Sequence, residues 1–241
     1  MKALCRSEAV SMSDEKERVI LARPNPGALC RDQLQASSQL LGRAFANDPT
    51  LVRADPDCAR RVRWLPCLYR AAMRYALATG GVELVGGHAA ALWLQRQTEP
   101  SFWRALGCGM LRIPLAMGMR AWLRLARHEA WCADRVRAVC APNYGYLWIL
   151  GVDPTAQRAG YGSLAVGAAA AAMRAQGHGV CILKTETESN VTFYRQLGFE
   201  CIDDRVVPSS QIRYWLLRQE LPTTAQLARS GLGPDRGARP A

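Results

Sequence analysis

The sequence predicts a single domain of the α/β (α+β) class, with a mixed, mostly antiparallel sheet flanked by helices. The first supporting observation is residues 146–201, where an apolar strand, a glycine-containing turn, an Ala-rich helix, a second strand and a second helix follow one another. The second is a pair of apolar runs joined by Gly86-Gly87, a pattern typical of a β-hairpin. The third is a hydrophobic content of 49% over 241 residues without a Pro/Gly/Ser-rich linker in the middle, which favours one sizeable core.

The elements before residue 100 follow from helical spacing, apolar runs and helix breakers. We predict a strand at 18–22, helices at 28–46 and 58–78, and a hairpin of 82–85 with 89–94. The first helix is expected to end before Asp48-Pro49, because proline restricts the residue that precedes it. Pro66 is expected to bend or divide the second helix, which Gly80 and Gly81 are expected to end.

The elements after residue 100 are predicted from composition as much as from spacing. Residues 100–141 are mostly helix-forming with a break at Pro114, and they are rich in Met and Trp. This stretch could line a ligand pocket or form ordinary core, since Met suits both. Two final strands are predicted at 206–207 and 211–217. We expect residues 1–16 to be mobile and residues 221–241 to be disordered.

The turn after the strand at 146–152 has the features of an anion site. Asp153-Pro154 ends the strand, and residues 163–176 are predicted as a helix. Gly160 and Gly162 remove side chains where a ligand would approach the backbone. The first N–H groups of the helix lack intrahelical partners, and the helix dipole adds partial positive charge. The two glycines, the free N–H groups of the helix and the charge of Arg158 together predict a site for a diphosphate. A Gly-x-Gly pair alone would indicate only a tight turn.

Composition and charge exclude several other classes of protein. The net charge is +11, but its arginines are spread along predicted helices without an aromatic-interleaved block, so nucleic-acid binding is not expected. No run of about 18 apolar residues is present, so we expect no membrane partner. Nine cysteines without a Cys-x-x-Cys pair, together with three histidines, argue against a metal site. With no signal peptide evident, we expect reduced thiols and a cytoplasmic location.

The motif of residues 146–204 resembles a known family. Gln157, Gly160 and Gly162 match the pattern Gln/Arg-x-x-Gly-x-Gly/Ala of the GNAT superfamily of acyl-CoA-dependent N-acetyltransferases. The later Asn-x-x-Phe-Tyr-x-x-Leu-Gly-Phe run, which begins at Asn190, is similar to the bacterial puromycin N-acetyltransferase-like branch. The resemblance implies the GNAT fold over residues 17–220, with a cofactor-binding core at 146–204, and acetyl-CoA as cosubstrate.

The resemblance also implies roles for individual residues. Backbone groups of the strand would pair with the pantetheine arm, and an N–H near Val152 would polarise the thioester carbonyl. The Gln157–Gly162 turn would hold the pyrophosphate, and Asn190 would contact the arm. The implied cofactor-binding residues are Leu150, Gly151, Val152, Gln157, Arg158, Ala159, Gly160, Tyr161, Gly162 and Asn190. Tyr194 would lie near the sulfur and protonate the leaving thiolate, since a phenol is protonated at neutral pH; alternatively it packs beside Phe193 and Phe199.

The general base is the least defined part of the predicted site. Relatives of the puromycin type carry a glutamate where this chain has Lys184. Glu186 lies on the same strand face, because strand side chains alternate, so it becomes the candidate base. The competing interpretation is that Glu186 lies at a solvated strand end and is paired with Lys184, and Glu188 is a third carboxylate nearby.

Three functions remain compatible with the sequence. The first is an N-acetyltransferase that moves an acetyl group from acetyl-CoA to a primary amine of a small molecule by direct attack, with a homodimer possible. The second is a protein or peptide N-acetyltransferase, and the third is a non-catalytic acyl-CoA-binding regulatory protein. An enclosed Met- and Trp-lined pocket would favour the first, whereas an extended groove would favour the second.

Overall fold

The computed structural model describes residues 29–95, 102–141 and 143–222. The predicted mobile segment at 1–16, the predicted strand at 18–22 and nearly all of the tail at 221–241 lie outside these residues. No helix in the described ranges is long and apolar enough to cross a membrane.

Eight α-helices and six strands make up the described part of the chain. The helices are α1 Arg31–Ala44, α2 Pro49–Ala54, α3 Cys58–Thr79, α4 Phe102–Cys108, α5 Ile113–Met117, α6 Met119–Val139, α7 Tyr161–Ala175 and α8 Glu188–Gln196. The strands are β1 Gly80–Val85, β2 Ala89–Leu94, β3 Gly145–Val152, β4 Val180–Thr185, β5 Glu200–Val207 and β6 Ile212–Glu220. Short 3-10 turns lie at Met110–Arg112 and Pro154–Ala156.

Local sequence accounts for where the first helices begin. Cys30 and Gln33 form a capping box at the start of α1. The Asp48 carboxylate accepts hydrogen bonds from the backbone N–H groups of Thr50 and Leu51, and Pro49 occupies the first turn of α2, where a missing N–H costs nothing. The expected division of α3 at Pro66 is not observed, because the helix continues from Cys58 to Thr79. Its buried face packs against the sheet and α1 and holds it together.

The six strands form one sheet in the order β1-β2-β3-β4-β6-β5. The β3–β4 pair is parallel and all other neighbours are antiparallel. The long helix ends at Thr79 with Gly80 as its C-cap, as predicted, and Gly80 and Gly81 also belong to β1, which begins two residues earlier than expected. A Cβ atom on Gly80 would lie 2.1 Å from the Trp93 carbonyl oxygen, so close strand approach requires glycine there. The last strands are longer than predicted and include residues 200–205 and 218–220.

Two hydrophobic clusters cover the two faces of the sheet. Helices α1 to α3, α5 and α6 pack on one face, where Ile182 of β4 points. Helices α7 and α8 pack on the other, where the β4 neighbours Cys181 and Leu183 point. The mixed α/β class with a mostly antiparallel sheet is therefore confirmed.

Candidate active site

Strands β3 and β4 separate in the middle of the sheet. They pair only at Gly145–Cys181, Tyr146–Ile182 and Leu147–Leu183. Beyond Leu147, β3 follows β2 to Val152 with a bulge at Trp148, whereas β4 follows β6 to Thr185. Residues 148–152 of β3 therefore have no strand partner on the β4 side within the described ranges. Such an unpaired edge can accept an extended ligand as an additional strand.

A cleft of about 630 Å³ lies at this separation and is called the outer cleft. Its floor is Leu150, Gly151 and Val152 of β3. One end is formed by the loop and first turn of α7, with Gln157, Arg158, Gly160, Gly162 and Ser163. The opposite wall comes from α8 and the turn before it, with Thr187, Ser189, Asn190, Phe193 and Tyr194.

The start of α7 is built to receive negative charge. Gly160 is its N-cap in the left-handed conformation (φ 86°), and no side chain caps the helix. Its first N–H groups lack intrahelical partners and point towards the cleft end, where the helix dipole adds positive potential. Arg158, two residues before Gly160 in the same short loop, also has a positive φ of 64°. Loops with alternating backbone conformations can turn successive N–H groups towards one anion. The loop is anchored because the Asp153 carboxylate accepts from Thr155 and forms an ion pair with Arg43.

A second cavity of about 360 Å³ lies behind the outer cleft and is called the inner pocket. Its walls are mostly apolar and come from the α2–α3 and α5–α6 region. They include Leu51, Leu68, Tyr69, Met110, Ile113, Trp122, Leu125 and Trp148. Its polar groups include Asp48, Thr50, Glu129, Lys184 and Glu186. The Thr50 hydroxyl is buried and has no hydrogen-bond partner within the described ranges.

The two cavities meet at a shared set of residues, which line both. These residues are Phe45, Asp48, Leu150, Asn190 and Tyr194. The junction therefore places one carboxylate and one phenol between a cleft that can hold an extended anionic ligand and a pocket that can hold a small apolar one.

The predicted base Glu186 is already in contact with two other polar side chains. Its carboxylate lies 2.6 Å from Lys184 Nζ and 3.4 Å from His128 Nε2. Burial alone would raise the pKa of Glu186, but Lys184 and His128 outweigh it and hold the pKa well below its usual range. Lys184 also lies 3.0 Å from Glu129 Oε1. Burial favours the neutral amine, but the two carboxylates together raise the pKa of Lys184, so it remains an ammonium.

The pKa of Asp48, the carboxylate at the junction, is shifted in the opposite direction from that of Glu186. Burial and the neighbouring charge of Glu186 raise its pKa to about 6, against the lowering effect of the Leu51 and Thr50 N–H groups. When two carboxylates interact, the charge on one makes it harder for the other to lose its proton. Here Glu186 keeps the negative charge, because Lys184 lies beside it. Asp48 is thus ionised near neutral pH and remains basic enough to accept a proton.

Tyr194 lies at the junction with its ring held between two phenylalanines. The ring contacts Phe193 and Phe199 edge to face, with centroids 5.1 Å and 5.6 Å away. Burial raises the pKa of Tyr194 further above its ordinary value of 10.0. Its hydroxyl is therefore protonated throughout the physiological range and acts as a hydrogen-bond donor.

The structure brings most of the predicted site residues together. The following predicted residues line the outer cleft: Leu150, Gly151, Val152, Gln157, Arg158, Gly160, Gly162, Asn190 and Tyr194. Ala159 and Tyr161 do not line it, and the Tyr161 ring stacks on His88 at 4.8 Å. Packing also explains why residue 151 is a glycine, because a Cβ atom there would lie 2.5 Å from Leu41 Cδ2.

Sequence reasoning missed Asp48, His128 and Glu129. In the sequence, Asp48-Pro49 marks the expected end of the first helix, and an Asp before a Pro is also the start signal of α2. His128 and Glu129 lie on α6 and reach the site only through the packing of that helix. Nothing in their local sequence distinguishes them from a solvated helix face.

One group of side chains has the composition of a metal site. Donor atoms of His128, Cys132 and Glu186 lie within 4.8 Å of one another. Lys184 Nζ lies 2.6 Å from the same Glu186 carboxylate, so a cation would compete with a buried ammonium there. Burial also raises the pKa of Cys132 to about 12, which disfavours the thiolate form that a metal needs.

Comparisons with known proteins identify the fold. The family model described as FR47-like protein matches residues 126–207. No curated protein matches the sequence. The fold is similar to histone acetyltransferase HPA2 and related acetyltransferase from Corynebacterium glutamicum, with 19% identity, a TM-score of 0.52, and 79% of this chain and 92% of that chain covered.

Two further solved structures share the fold. A variant of agmatine N-acetyltransferase in its apo form has 16% identity and a TM-score of 0.52, covering 78% of this chain and 94% of that chain. Arylalkylamine N-acetyltransferase 2 from Aedes aegypti has 11% identity and a TM-score of 0.56, and the match covers 80% of this chain and 96% of that chain. The fold is thus that of the GNAT acetyltransferases, as the sequence predicts. The puromycin N-acetyltransferase-like branch remains a prediction.

Proposed function

We propose that the protein transfers an acetyl group from acetyl-CoA to the primary amine of a small molecule with an apolar or aromatic body. The observation that carries this proposal is the junction between the outer cleft and the inner pocket, where Asp48 and Tyr194 lie beside the open edge of β3. A cleft for the acyl donor and a pocket for the acceptor thus meet at one base and one hydrogen-bond donor.

The outer cleft fits the acyl donor at both of its ends. The pyrophosphate would bind at the first turn of α7 with Arg158, where N–H groups and positive charge converge. The pantetheine arm would pair with the open edge of β3 between residues 148 and 152. The Asn190 amide, which donates to Thr185 Oγ1 at 3.1 Å, lies in the first turn of α8, where it can also meet the arm.

The inner pocket fits a small amine better than a polypeptide. Its walls are mainly Met, Leu, Trp and Tyr side chains, and its volume of about 360 Å³ matches a small molecule. Asp48, Glu129 and Glu186 outnumber the one cation, Lys184, so an ammonium group entering the pocket is attracted. The buried Thr50 hydroxyl without a partner is available for a polar group on the acceptor.

We assign the base role to Asp48 and not to Glu186, because Glu186 is held ionised by Lys184 and His128. An acceptor that enters as an ammonium first loses one proton to water, because only the free amine has the lone pair that attacks. Asp48 then accepts the second proton, which the nitrogen loses as the C–N bond forms. The C–S bond breaks with its electron pair on sulfur, and the Tyr194 hydroxyl donates a hydrogen bond to that sulfur. Asp48 then returns its proton, directly or through water, to give the free thiol and restore the carboxylate.

Calorimetric titration with acetyl-CoA followed by a thiol-release assay tests the proposal. Amines with an aromatic body, a polyamine and an N-terminal peptide would be compared at one concentration. We expect micromolar or tighter acetyl-CoA binding and the highest kcat/KM for the aromatic amines. No acetyl-CoA binding would overturn the proposal, and binding without turnover on any amine would favour a non-catalytic acyl-CoA-binding protein. A higher kcat/KM for the peptide than for the amines would indicate that the acceptor is a polypeptide.

A further inference from the structure

An exposed apolar surface lies outside both cavities, on the segment from α4 to the start of α6. Nine large hydrophobic side chains are exposed in the described residues, and six of them lie in this segment. They are Trp103, Leu106, Leu111, Leu115, Met119 and Leu123. Trp103 and Leu115 are the most exposed, at 77% and 84%. So many exposed apolar side chains in one segment of the chain indicate a binding partner.

The same segment is strongly basic. It carries five exposed arginines, namely Arg104, Arg112, Arg120, Arg124 and Arg127. No acidic residue occurs between residues 100 and 128, so residues 102–128 contribute five positive charges and no negative ones. Exposed apolar and cationic side chains are thus combined in one segment, whose exposed part we call the basic apolar surface.

A third cavity adjoins this surface between α3 and the 3-10 turn at Met110–Arg112. It has a volume of about 300 Å³ and is lined by Arg63, Arg70, Arg74 and Arg112, with no carboxylate among its lining residues. Arg112 belongs to both the cavity and the basic apolar surface. Guanidinium groups gathered around one cavity bind a phosphate group well, because their planar N–H donors match its oxygens.

The combination of side chains selects the kind of partner. A second copy of the chain would bring two sets of arginines together, which repel each other. A nucleic acid would leave Trp103 and Leu115 against a charged backbone. An anionic lipid surface complements both features, since apolar side chains enter the acyl boundary while arginines meet phosphates. Tryptophan is also favoured at that boundary.

We propose that the basic apolar surface docks the protein on an anionic lipid bilayer, with the arginine-lined cavity receiving the phosphate of a headgroup. This peripheral contact needs no membrane-spanning helix, and it differs from the sequence-based expectation of no membrane partner. The surface shares no lining residue with the outer cleft, so the proposal stands independently of the acyl-transfer reaction.

Vesicle cosedimentation tests the proposal with the full chain. Phosphatidylcholine vesicles with and without phosphatidylglycerol would be compared at rising salt. We expect binding to the anionic vesicles that falls with salt. Replacing both Trp103→Ala and Leu115→Ala should weaken it by about tenfold or more. Replacing both Arg120→Gln and Arg124→Gln should weaken it by a similar factor, roughly tenfold or more.

The matched control carries Arg195→Gln and Val206→Ala, which remove an exposed arginine and an exposed aliphatic side chain on α8 and β5. It should bind vesicles as the unchanged protein does. Thermal unfolding by circular dichroism would confirm that all variants fold. Equal binding to neutral vesicles, or no binding, would overturn the proposal. Light scattering that shows a dimer dissociated by the Trp103→Ala and Leu115→Ala pair would assign the surface to self-association instead.

Discussion

Asp48 and Glu186 show how neighbouring charges give two carboxylates different roles. Glu186 lies beside the buried ammonium of Lys184 and is held ionised, whereas Asp48 is buried beside a carboxylate and keeps a raised pKa. Strand alternation predicts that Glu186 lies on the face of β4 where a base is needed. It does not predict that the ammonium of Lys184 lies beside Glu186.

Replacing Asp48→Asn tests the base. Asparagine can still cap α2 but cannot accept the proton, so kcat/KM should fall about a hundredfold or more while the fold is kept. In the unchanged protein kcat/KM should rise with pH through about 6, because Asp48 must be ionised. The variant should lose that limb of the pH profile. Asp32→Asn, on the exposed start of α1, is the control, and full activity of the Asp48 variant would remove Asp48 from the mechanism.

Replacing Glu186→Gln should affect stability more than the proton transfer. It leaves the buried ammonium of Lys184 with only Glu129, and breaking a buried pair costs about 3 kcal/mol. Because the pKa of Glu186 is lower in the folded protein, its contribution is complete above its ordinary value of 4.5 and is lost as pH falls towards about 2. Urea unfolding at neutral and acidic pH measures this. Glu129→Gln, more exposed, should cost clearly less, and equal losses would contradict the assignment.

At the scale of elements, the start of α7 combines a left-handed backbone position with the proposed diphosphate site. Gly160→Val should strain a left-handed residue by about 1–2 kcal/mol and also weaken acetyl-CoA binding. Gly177→Val is a matched control, because Gly177 follows the other end of α7 with the same φ of 86° and open space around it. Both variants should lose similar stability in urea unfolding, and only the first should lose acetyl-CoA affinity by calorimetry. Equal affinity losses would place the anion site elsewhere.

Elements defined by local signals were predicted, and those defined by distant contacts were not. The hairpin around Gly86-Gly87, β3 and α7 follow from turn residues and periodicity, and the structure confirms them. The strand role of Gly80 depends on Trp93 of the next strand. The undivided α3 depends on packing that outweighs Pro66. Likewise, the outer cleft could be predicted from one motif, whereas the inner pocket is assembled from helices that are distant in sequence.

At the scale of the whole molecule, the sheet separates two tasks. Helices α7 and α8 lie on one face and supply the anion site and Tyr194. Helices α1 to α3, α5 and α6 pack on the other face, where α2, α3, α5 and α6 line the inner pocket. The segment from α4 to α6 carries the basic apolar surface. The outer cleft and the inner pocket share lining residues beside the gap between β3 and β4, so an acyl donor and an acceptor bound in the two cavities would meet there.

Binding of the acyl donor at that gap, as proposed, should stabilise the whole domain. Acetyl-CoA paired with residues 148–152 would occupy an open sheet edge, and at one hundred times its Kd it should raise the free energy of unfolding by about 2.7 kcal/mol. Amide hydrogen exchange should slow at residues 148–152 but change little at 145–147, which β4 already pairs. The Gly160→Val variant, at the same acetyl-CoA concentration, should show neither effect. Stabilisation without protection of the β3 edge would mean that acetyl-CoA binds outside the gap.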